Sequence, residues 1–256
     1  MSNHTDRLRM IDTVRGLTIL SMMGFHAFWD LFYFGMGVSY QMLTSKPAYI
    51  WQQSICWTFI LLSGFCFSMG HHHIKRGLMS LGGGIIISIV TQIIMPEERD
   101  LFGVLWMLGA CTLIWILPDK LFAKIRNKAL NALLLLLSGG LFFIFRNINS
   151  GYFGFEGLNL APINSNLYKG YLMTFLGFTD PTFYSSDYFS LFPWIFLFTL
   201  GYFLNKMLKD TRFESRVLSK GVRPLEFLGR HSFIIYMLHQ VVIYGIIYLI
   251  YLLWHD

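Results

Sequence analysis

Charged side chains are scarce in this sequence. Asp, Glu, Lys and Arg make up 13% of its 256 residues, about half the share that is usual in soluble globular domains. Apolar residues make up 55% and the mean hydropathy is +0.53. This composition excludes a cytosolic enzyme and indicates a membrane protein.

Cysteine is scarce as well, and its few positions exclude a disulfide framework. The three cysteines, Cys56, Cys66 and Cys111, fall inside apolar runs, where we interpret them as small buried side chains. The histidine run at 71–73 has no second group of Cys, His or Asp at ligand spacing, so we expect no metal site. The glycines at 82–84 lack the Lys-Ser/Thr of a phosphate loop and favour close helix packing.

Seven apolar runs are each long enough to cross a hydrocarbon core of ~30 Å as a helix. They are residues 12–36, 49–69, 78–95, 101–117, 129–145, 188–205 and 225–254. The predicted fold is therefore all-α: a polytopic membrane bundle of about seven helices, with residues 1–256 as a single domain. The first run is preceded by charge at 6–9 but has no small-residue cleavage site, so we expect it to stay in the fold rather than act as a signal peptide.

Lys and Arg are concentrated on one side of this predicted bundle. Fifteen of them fall in the amino terminus through Arg15 and in the loops after the second, fourth and sixth runs, whereas the opposite side holds only Lys46, Arg99, Arg146 and Lys169. The positive-inside rule then places the amino terminus in the cytoplasm and the carboxyl terminus outside. Because topology accounts for the net charge of +6, we expect no nucleic-acid partner.

A long polar and aromatic segment, residues 147–187, is predicted to lie outside the membrane. Loops of this length on compact domains are often lids or substrate platforms. Its residues 167–178 are compatible with a short interfacial helix. The alternative is a disordered loop, which the many aromatic residues disfavour.

Ionisable residues inside the first run suggest proton transfer within the membrane. His26 lies eleven residues, about 16 Å, beyond Arg15, and Asp30 follows one helical turn later on the same face. A carboxylate at that spacing can orient an imidazole and stabilise its charged form, as a general base requires. His239 in the last run is predicted to reach a similar depth. The alternative is that His26 and Asp30 only satisfy each other in packing.

Further polar residues gather towards the two ends of the predicted bundle. On the cytoplasmic side Arg15, Arg230 and His231 are candidates to bind a phosphorylated donor. The basic run at 71–76 is a further candidate, with a solvated loop as its alternative. On the outer side Asp187, Tyr188 and Trp194 mark the mouth of the sixth run.

Three blocks of the sequence resemble a known family. Residues 9–31 (RMIDTVRGLTILSMMGFHAFWDL), 186–194 (SDYFSLFPW) and 228–240 (LGRHSFIIYMLHQ) are similar to elements of bacterial members of the heparan-alpha-glucosaminide N-acetyltransferase family. The Arg15 to His26 spacing is also similar to a motif of the related acyltransferase-3 family. The resemblance implies a plasma-membrane enzyme, in bacteria of the inner membrane, that transfers an acetyl group from cytoplasmic acyl-CoA to a sugar-containing acceptor on the far side.

The sequence and this resemblance together predict the following roles. His26, Asp30 and His239 are the candidate catalytic residues, with His26 as the base. Arg15, Arg230 and His231 are predicted to bind the acetyl-CoA donor, and Asp187, Tyr188, Trp194 and Tyr236 the acceptor. The expected partners are acyl-CoA, a glycan or other sugar-containing acceptor and membrane lipid. A homodimer is compatible with the sequence. The alternatives are a proton-coupled transporter using a His/Asp relay and a non-catalytic scaffold.

Overall fold

The computed structural model describes residues 8–255 and is predominantly helical. Asp6 and Arg7 of the charged amino-terminal segment lie outside the described residues. Within the described residues, ten α-helices and one β-hairpin follow one another. They are α1 (Arg9–Tyr33), α2 (Tyr40–Leu43), α3 (Lys46–Phe67), α4 (His73–Ile94), α5 (Val104–Phe122), α6 (Lys128–Ile144), β1 (Tyr152–Phe155), β2 (Leu158–Pro162), α7 (Tyr171–Leu176), α8 (Trp194–Leu208), α9 (Arg223–Arg230) and α10 (Ser232–His255).

Five helical segments are long and apolar enough to cross a membrane. They are Lys46–Phe67, His73–Ile94, Val104–Phe122, Lys128–Ser150 and Ser232–Trp254. Helix α1 has 25 residues, but Arg15, His26 and Asp30 lower its mean hydropathy. Helix α8 is apolar but has only 15 residues. Residues 8–255 thus form a mostly helical protein with five candidate spans.

Two details of the sequence-based prediction need correction. The run at 225–254 is not one helix, because the chain turns at His231 and separates α9 from α10. The fold is also not purely helical, since β1 and β2 form an antiparallel pair. The predicted short helix at 167–178 is present as α7, at Tyr171–Leu176.

The chain divides into two compact units. One consists of the residues up to Phe59 together with those from Leu208 onward, and the other runs from Ile60 to Met207. The first unit therefore contains α1, α9 and α10, and the second contains α4 to α8 with the hairpin.

Glycines bring α1 and α9 of the first unit into backbone contact. A Cβ atom on Gly16 would lie 1.9 Å from the carbonyl oxygen of Leu225, and one on Gly229 would lie 1.9 Å from that of Asp12. Only glycine permits this approach. The Thr13 hydroxyl accepts a hydrogen bond of 3.0 Å from the Val222 backbone N–H, which ties the start of α9 to α1.

Close packing by glycine also joins α4 to α5 in the second unit. A Cβ on Gly84 would lie 2.8 Å from Trp106, and Gly77 and Gly109 face each other across the same contact. The indole of Trp106 donates a hydrogen bond of 3.0 Å to Ser88. The packing role predicted for the glycines at 82–84 is confirmed for Gly84, whereas Gly82 faces open space.

The segment between α6 and α8 is ordered around one asparagine. The Asn149 side-chain amide lies within 3.3 Å of the Gly177 carbonyl and within 3.2 Å of the hydroxyls of Thr179, Tyr188 and Ser190. These bonds connect the start of the hairpin to the residues that lead into α8. The disordered alternative for residues 147–187 is therefore wrong.

Candidate active site

Helices α1 and α10 bring two predicted catalytic histidines together. The rings of His26 and His239 lie edge to face, with centroids 4.6 Å apart and an interplanar angle of 69°. His239 is 7% exposed, and His26 is half-buried. The sequence separates these residues by 213 positions, so their contact is a product of the fold.

The hydrogen bond of His239 fixes which ring nitrogen carries its proton. Nδ1 lies 2.6 Å from the Tyr236 carbonyl oxygen, which can only accept, so the neutral ring carries its hydrogen on Nδ1. Nε2 is then the basic nitrogen, and it is buried with no hydrogen-bond partner among the described residues. A buried basic nitrogen with its tautomer fixed by a backbone carbonyl is suited to accept a proton from a bound molecule.

The third predicted catalytic residue, Asp30, is partnered by a residue that the sequence analysis missed. The Gln240 side-chain amide donates a hydrogen bond of 2.9 Å to Oδ1 of Asp30. Asp30 is 2% exposed, and its Oδ2 has no partner among the described residues. Among the described residues, no hydrogen bond joins Asp30 to His26. Gln240, next to His239 in sequence, therefore links the Asp30 carboxylate to α10.

Two of the three predicted donor-binding residues are ion-paired near the contact between α1 and α9. Arg15 lies 3.4 Å from Asp12, and Arg230 lies 3.2 Å from Glu226. Glu226, whose side chain is 4% exposed, also accepts hydrogen bonds of 3.0 and 2.8 Å from Arg9. Glu226, the acidic residue between the two guanidinium groups of Arg9 and Arg230, is not among the residues predicted from the sequence.

The third predicted donor-binding residue, His231, lies at the turn between α9 and α10. Its side chain is exposed, and its Nδ1 is 2.8 Å from the Phe227 carbonyl. The side chain of Arg230 is 45% exposed. Both side chains are thus accessible to an anionic ligand, although Glu226 already neutralises part of the charge of Arg230.

The predicted acceptor-binding residues of the second unit are mostly part of its framework. Trp194 is 5% exposed, packs on Phe142 and Phe189, and has the Arg146 guanidinium 5.1 Å above its ring. The Tyr188 hydroxyl bonds the Thr174 carbonyl and the Asn149 amide. Tyr236, in the first unit, packs with the core of Ile19, Met22 and Ile55.

Asp187 is paired with an acidic residue that the sequence analysis also missed. Burial raises the pKa of Asp187 to about 6, although the Val104 backbone N–H donates to its carboxylate. Burial and the nearby Asp187 raise the pKa of Asp100 to about 8. Oδ1 of Asp100 has no hydrogen-bond partner among the described residues. At neutral pH the pair therefore keeps one proton, mainly on Asp100, whereas Asp187 is mostly ionised.

An open cleft of about 730 Å³ lies between the hairpin and the residues before α8. Three of its lining side chains, Asn149, Tyr168 and Asp180, are held by hydrogen bonds to neighbouring backbone and side chains. Three others, Tyr152, Asn166 and Lys169, are exposed. The cleft therefore has rigid walls and a rim that carries an aromatic ring, an amide and an ammonium group.

Within residues 8–255, no group of three or more His, Cys, Asp or Glu side chains is arranged to hold a metal ion. The site of α1 and α10 instead consists of imidazole, amide and carboxyl groups. Such groups inside a helical bundle are typical of membrane proteins that move protons or transfer chemical groups. The fold and this site define a helical membrane protein with a buried polar centre.

A family model described as the catalytic part of heparan-alpha-glucosaminide N-acetyltransferase matches residues 7–241. The chain belongs to this family, as the three sequence blocks predicted. Comparisons with curated proteins and with solved structures give no significant match. The family and the apolar helices together indicate a membrane acetyltransferase.

Proposed function

We propose that this protein transfers the acetyl group of cytoplasmic acetyl-CoA to a hydroxyl or amine of a sugar-containing acceptor on the opposite side of the membrane. One observation carries the proposal: in a chain of this family, the buried Nε2 of His239 has no described partner and its ring contacts His26. The pair offers one nitrogen to accept a proton and a second imidazole beside it.

In the proposed reaction His239 takes the role of base that the sequence assigned to His26. The acceptor O–H or N–H gives its proton to Nε2 of His239 as the acceptor atom bonds to the thioester carbonyl carbon. The tetrahedral intermediate collapses, the C–S bond breaks, and the CoA thiolate takes the proton back from the imidazolium. His26, with a hydrogen on the nitrogen that faces the thioester, stabilises the oxyanion.

Asp30 and Gln240 are proposed to position this pair rather than to react. The hydrogen bond of 2.9 Å between them fixes α10 against α1 at the level of the histidines. The alternative chemistry, an acetyl-histidine intermediate, uses the same nitrogen as a nucleophile.

The donor is proposed to bind through its phosphates to Arg15, Arg230 and His231. The exposure of the Arg230 side chain and of His231 supports this role. Binding of phosphate at Arg230 competes with Glu226, which already holds this side chain and Arg9. We therefore expect donor binding to shift Arg230 away from Glu226.

The cleft beside the hairpin is proposed to take part in acceptor recognition, with the Tyr188 hydroxyl supporting its lining residues Asn149 and Thr179. Asp187 and Trp194, the other acceptor-binding residues predicted in this unit, do not line the cleft. A cleft of about 730 Å³ is within the usual range of small-molecule sites, roughly 300–1,000 Å³. Sugars present C–H faces that pack on the negative face of an aromatic ring, and hydroxyls that bond amide and ammonium groups. Tyr152, Asn166 and Lys169 supply these groups at the rim.

We further propose that the whole chain is one domain with seven spans, with its amino terminus in the cytoplasm. The distribution of Lys and Arg supports this orientation. Helix α1, with 25 residues, is about 37 Å long and spans a hydrocarbon core. Helix α8, with 15 residues, is about 22 Å long. The non-helical residues 188–193, which lead into α8, complete the predicted span.

The test is to reconstitute the purified protein in liposomes with labelled acetyl-CoA on one side and amino sugars or hexoses on the other. Transfer of label to the acceptor, lost in His239→Ala, is the expected result. Flux of solute without any transfer of label indicates the transporter instead. Label that stays on the protein in the absence of acceptor indicates an acetyl-histidine intermediate.

A further inference from the structure

A groove with a basic end lies along the start of α4, apart from the residues assigned above. It has a volume of about 820 Å³ and is lined by His72, His73, Ile74, Lys75, Leu78, Met79 and, from α5, Ile116. We call it the α4 groove. Its contacts belong wholly to the second unit.

The end of the α4 groove at the helix amino terminus carries the positive charge of Lys75, and the only acidic side chain with a described electrostatic effect on a groove residue is Asp119 of α5, which acts on His73. No Asp or Glu occurs between residues 67 and 96, a stretch that contains Lys75, Arg76 and three histidines. His72 precedes the helix and forms no side-chain capping bond. The first-turn N–H groups therefore add to the positive potential of the exposed Lys75 side chain.

A second observation at this end points to a missing partner. His73 lines the groove, and its ring stacks on Phe67 with centroids 4.0 Å apart. Nδ1 of His73 is buried and has no hydrogen-bond partner among the described residues. The His73 imidazole is thus fixed by stacking, and its Nδ1 is available for a hydrogen bond at the end of the groove that carries Lys75.

The rest of the α4 groove is apolar and exposed. Leu78 and Met79 are 56% and 49% exposed, and Ile116 lies beside them on α5. The glycine contacts between α4 and α5 hold this floor rigid. An apolar strip that ends in cationic groups complements an acyl chain joined to an anionic headgroup.

We propose that the α4 groove binds an anionic phospholipid, with the headgroup phosphate at His72 and Lys75 and an acyl chain along Leu78, Met79 and Ile116. This inference goes beyond the proposed function, because none of these residues belongs to the α1/α10 site. It does not depend on acetyl transfer. The lipid would act as a bound component of the membrane protein.

The experiment is native mass spectrometry of the full-length protein in detergent, titrated with phosphatidylglycerol or with phosphatidylcholine of the same chains. We expect tighter binding of phosphatidylglycerol. Lys75→Gln lowers that affinity roughly fivefold, the factor for one cation at an anionic headgroup, and leaves phosphatidylcholine unaffected. Leu78→Ser lowers the affinity for both lipids, because it removes part of the apolar floor.

The matched control is Lys124→Gln, which removes the same charge from an exposed position outside the α4 groove. Equal loss of phosphatidylglycerol binding in this variant and in Lys75→Gln would show diffuse surface attraction and overturn the proposal. Displacement of the lipid by acetyl-CoA, with the same dependence on Lys75, would assign the groove to the donor and also overturn it. Each variant exposes a polar side chain to solvent, and monodisperse elution with unchanged circular dichroism verifies its fold.

Discussion

The ring of His239 contacts the ring of His26 edge to face, while its Nδ1 is held 2.6 Å from the Tyr236 carbonyl oxygen. The same residue therefore has one nitrogen committed to the backbone and one available to a substrate. This arrangement favours His239 as the base, whereas the sequence alone, from the spacing of His26 and Asp30, favours His26.

The first prediction concerns this difference. His239→Asn should lower the rate of acetyl transfer by roughly 10²–10⁴-fold, the usual contribution of a general base. His26→Asn, which keeps a donor N–H, should lose less than His26→Ala. The rates are measured with labelled acetyl-CoA under saturating acceptor.

His71→Asn is the matched control, because His71 is exposed and lies outside the proposed catalytic site. Measured with saturating acetyl-CoA, so that any contribution of the run at 71–76 to donor affinity does not enter the rate, it should retain the wild-type rate. A His239→Asn enzyme with full activity, together with an inactive His26→Asn enzyme, would return the role of base to His26.

The second prediction concerns Asp30 and Gln240. Gln240→Leu leaves a carboxylate that is 2% exposed without its described partner, and should lower the free energy of unfolding by about 3 kcal/mol. Replacing Asp30 by Asn in the same protein should recover part of this loss, because the buried group is then neutral. Denaturation in mixed micelles of the wild type, both single variants and the double variant measures the coupling. Strictly additive effects would contradict a direct interaction.

The third prediction tests the cleft beside the hairpin. Tyr152→Ala should raise the KM for the acceptor severalfold, because stacking of an aromatic ring is worth roughly 1 kcal/mol, and should leave the KM for acetyl-CoA unchanged. Tyr184→Ala is the control, since Tyr184 is 50% exposed and does not line the cleft. A proportional change in both KM values would argue against a role in acceptor recognition.

The sequence predicts the helices because their apolar runs have the length that a bilayer requires, and it predicts the importance of His26, Asp30 and His239 because charge in such runs is costly. It does not predict their partners. Gln240 is uncharged and stands in an apolar run like many structural residues, so only the pairing of α1 with α10 identifies it. Asp100 becomes notable only because residues 98–102 and 184–189 pair through backbone hydrogen bonds such as Ser186 N–H to the Arg99 carbonyl.

The glycine contacts illustrate the same limit. Gly16 and Gly229 are two of 23 glycines, and nothing in the local sequence distinguishes them from Gly245, which faces open space. The break at His231 is equally difficult to predict, because the residues on both sides favour helix. Both features depend on which helix lies opposite, and this is a property of tertiary packing.

The fourth prediction concerns pH. Burial raises the pKa of Asp100 from 3.8 to about 8, so the folded protein binds a proton that the unfolded chain releases. Its contribution to stability is present in full below about pH 4 and declines as the pH rises towards 8. Asp100→Asn, which stays neutral, should flatten the fall in melting temperature between pH 5 and 8.

Asp180 supplies a control of opposite sign. Hydrogen bonds from the N–H groups of Gly170 and Thr182 lower the pKa of Asp180, so its contribution is present at neutral pH and lost in acid. Asp180→Asn should therefore leave the slope between pH 5 and 8 unchanged. If Asp100→Asn also leaves this slope unchanged, burial of that carboxyl group does not govern the loss of stability between pH 5 and 8.

The last prediction concerns the backbone contact between α1 and α9. Gly16→Ala places a methyl group where the Leu225 carbonyl oxygen lies 1.9 Å from the ideal Cβ position, and backbone atoms cannot move aside as a flexible side chain can. The two helices must separate, so stability should fall by about 3 kcal/mol or more. Gly229→Ala should act similarly against Asp12.

Gly245→Ala provides the comparison within α10, because a Cβ there meets nothing within 4 Å. This variant should gain roughly 0.5–1 kcal/mol from helix propensity alone. Denaturation in micelles compares the three variants. Since Arg230 follows Gly229 directly, separation of α9 from α1 also displaces a proposed donor-binding residue, and Gly229→Ala should raise the KM for acetyl-CoA where Gly245→Ala does not. A Gly16→Ala protein as stable as the wild type would show that α1 and α9 are not packed through these glycines.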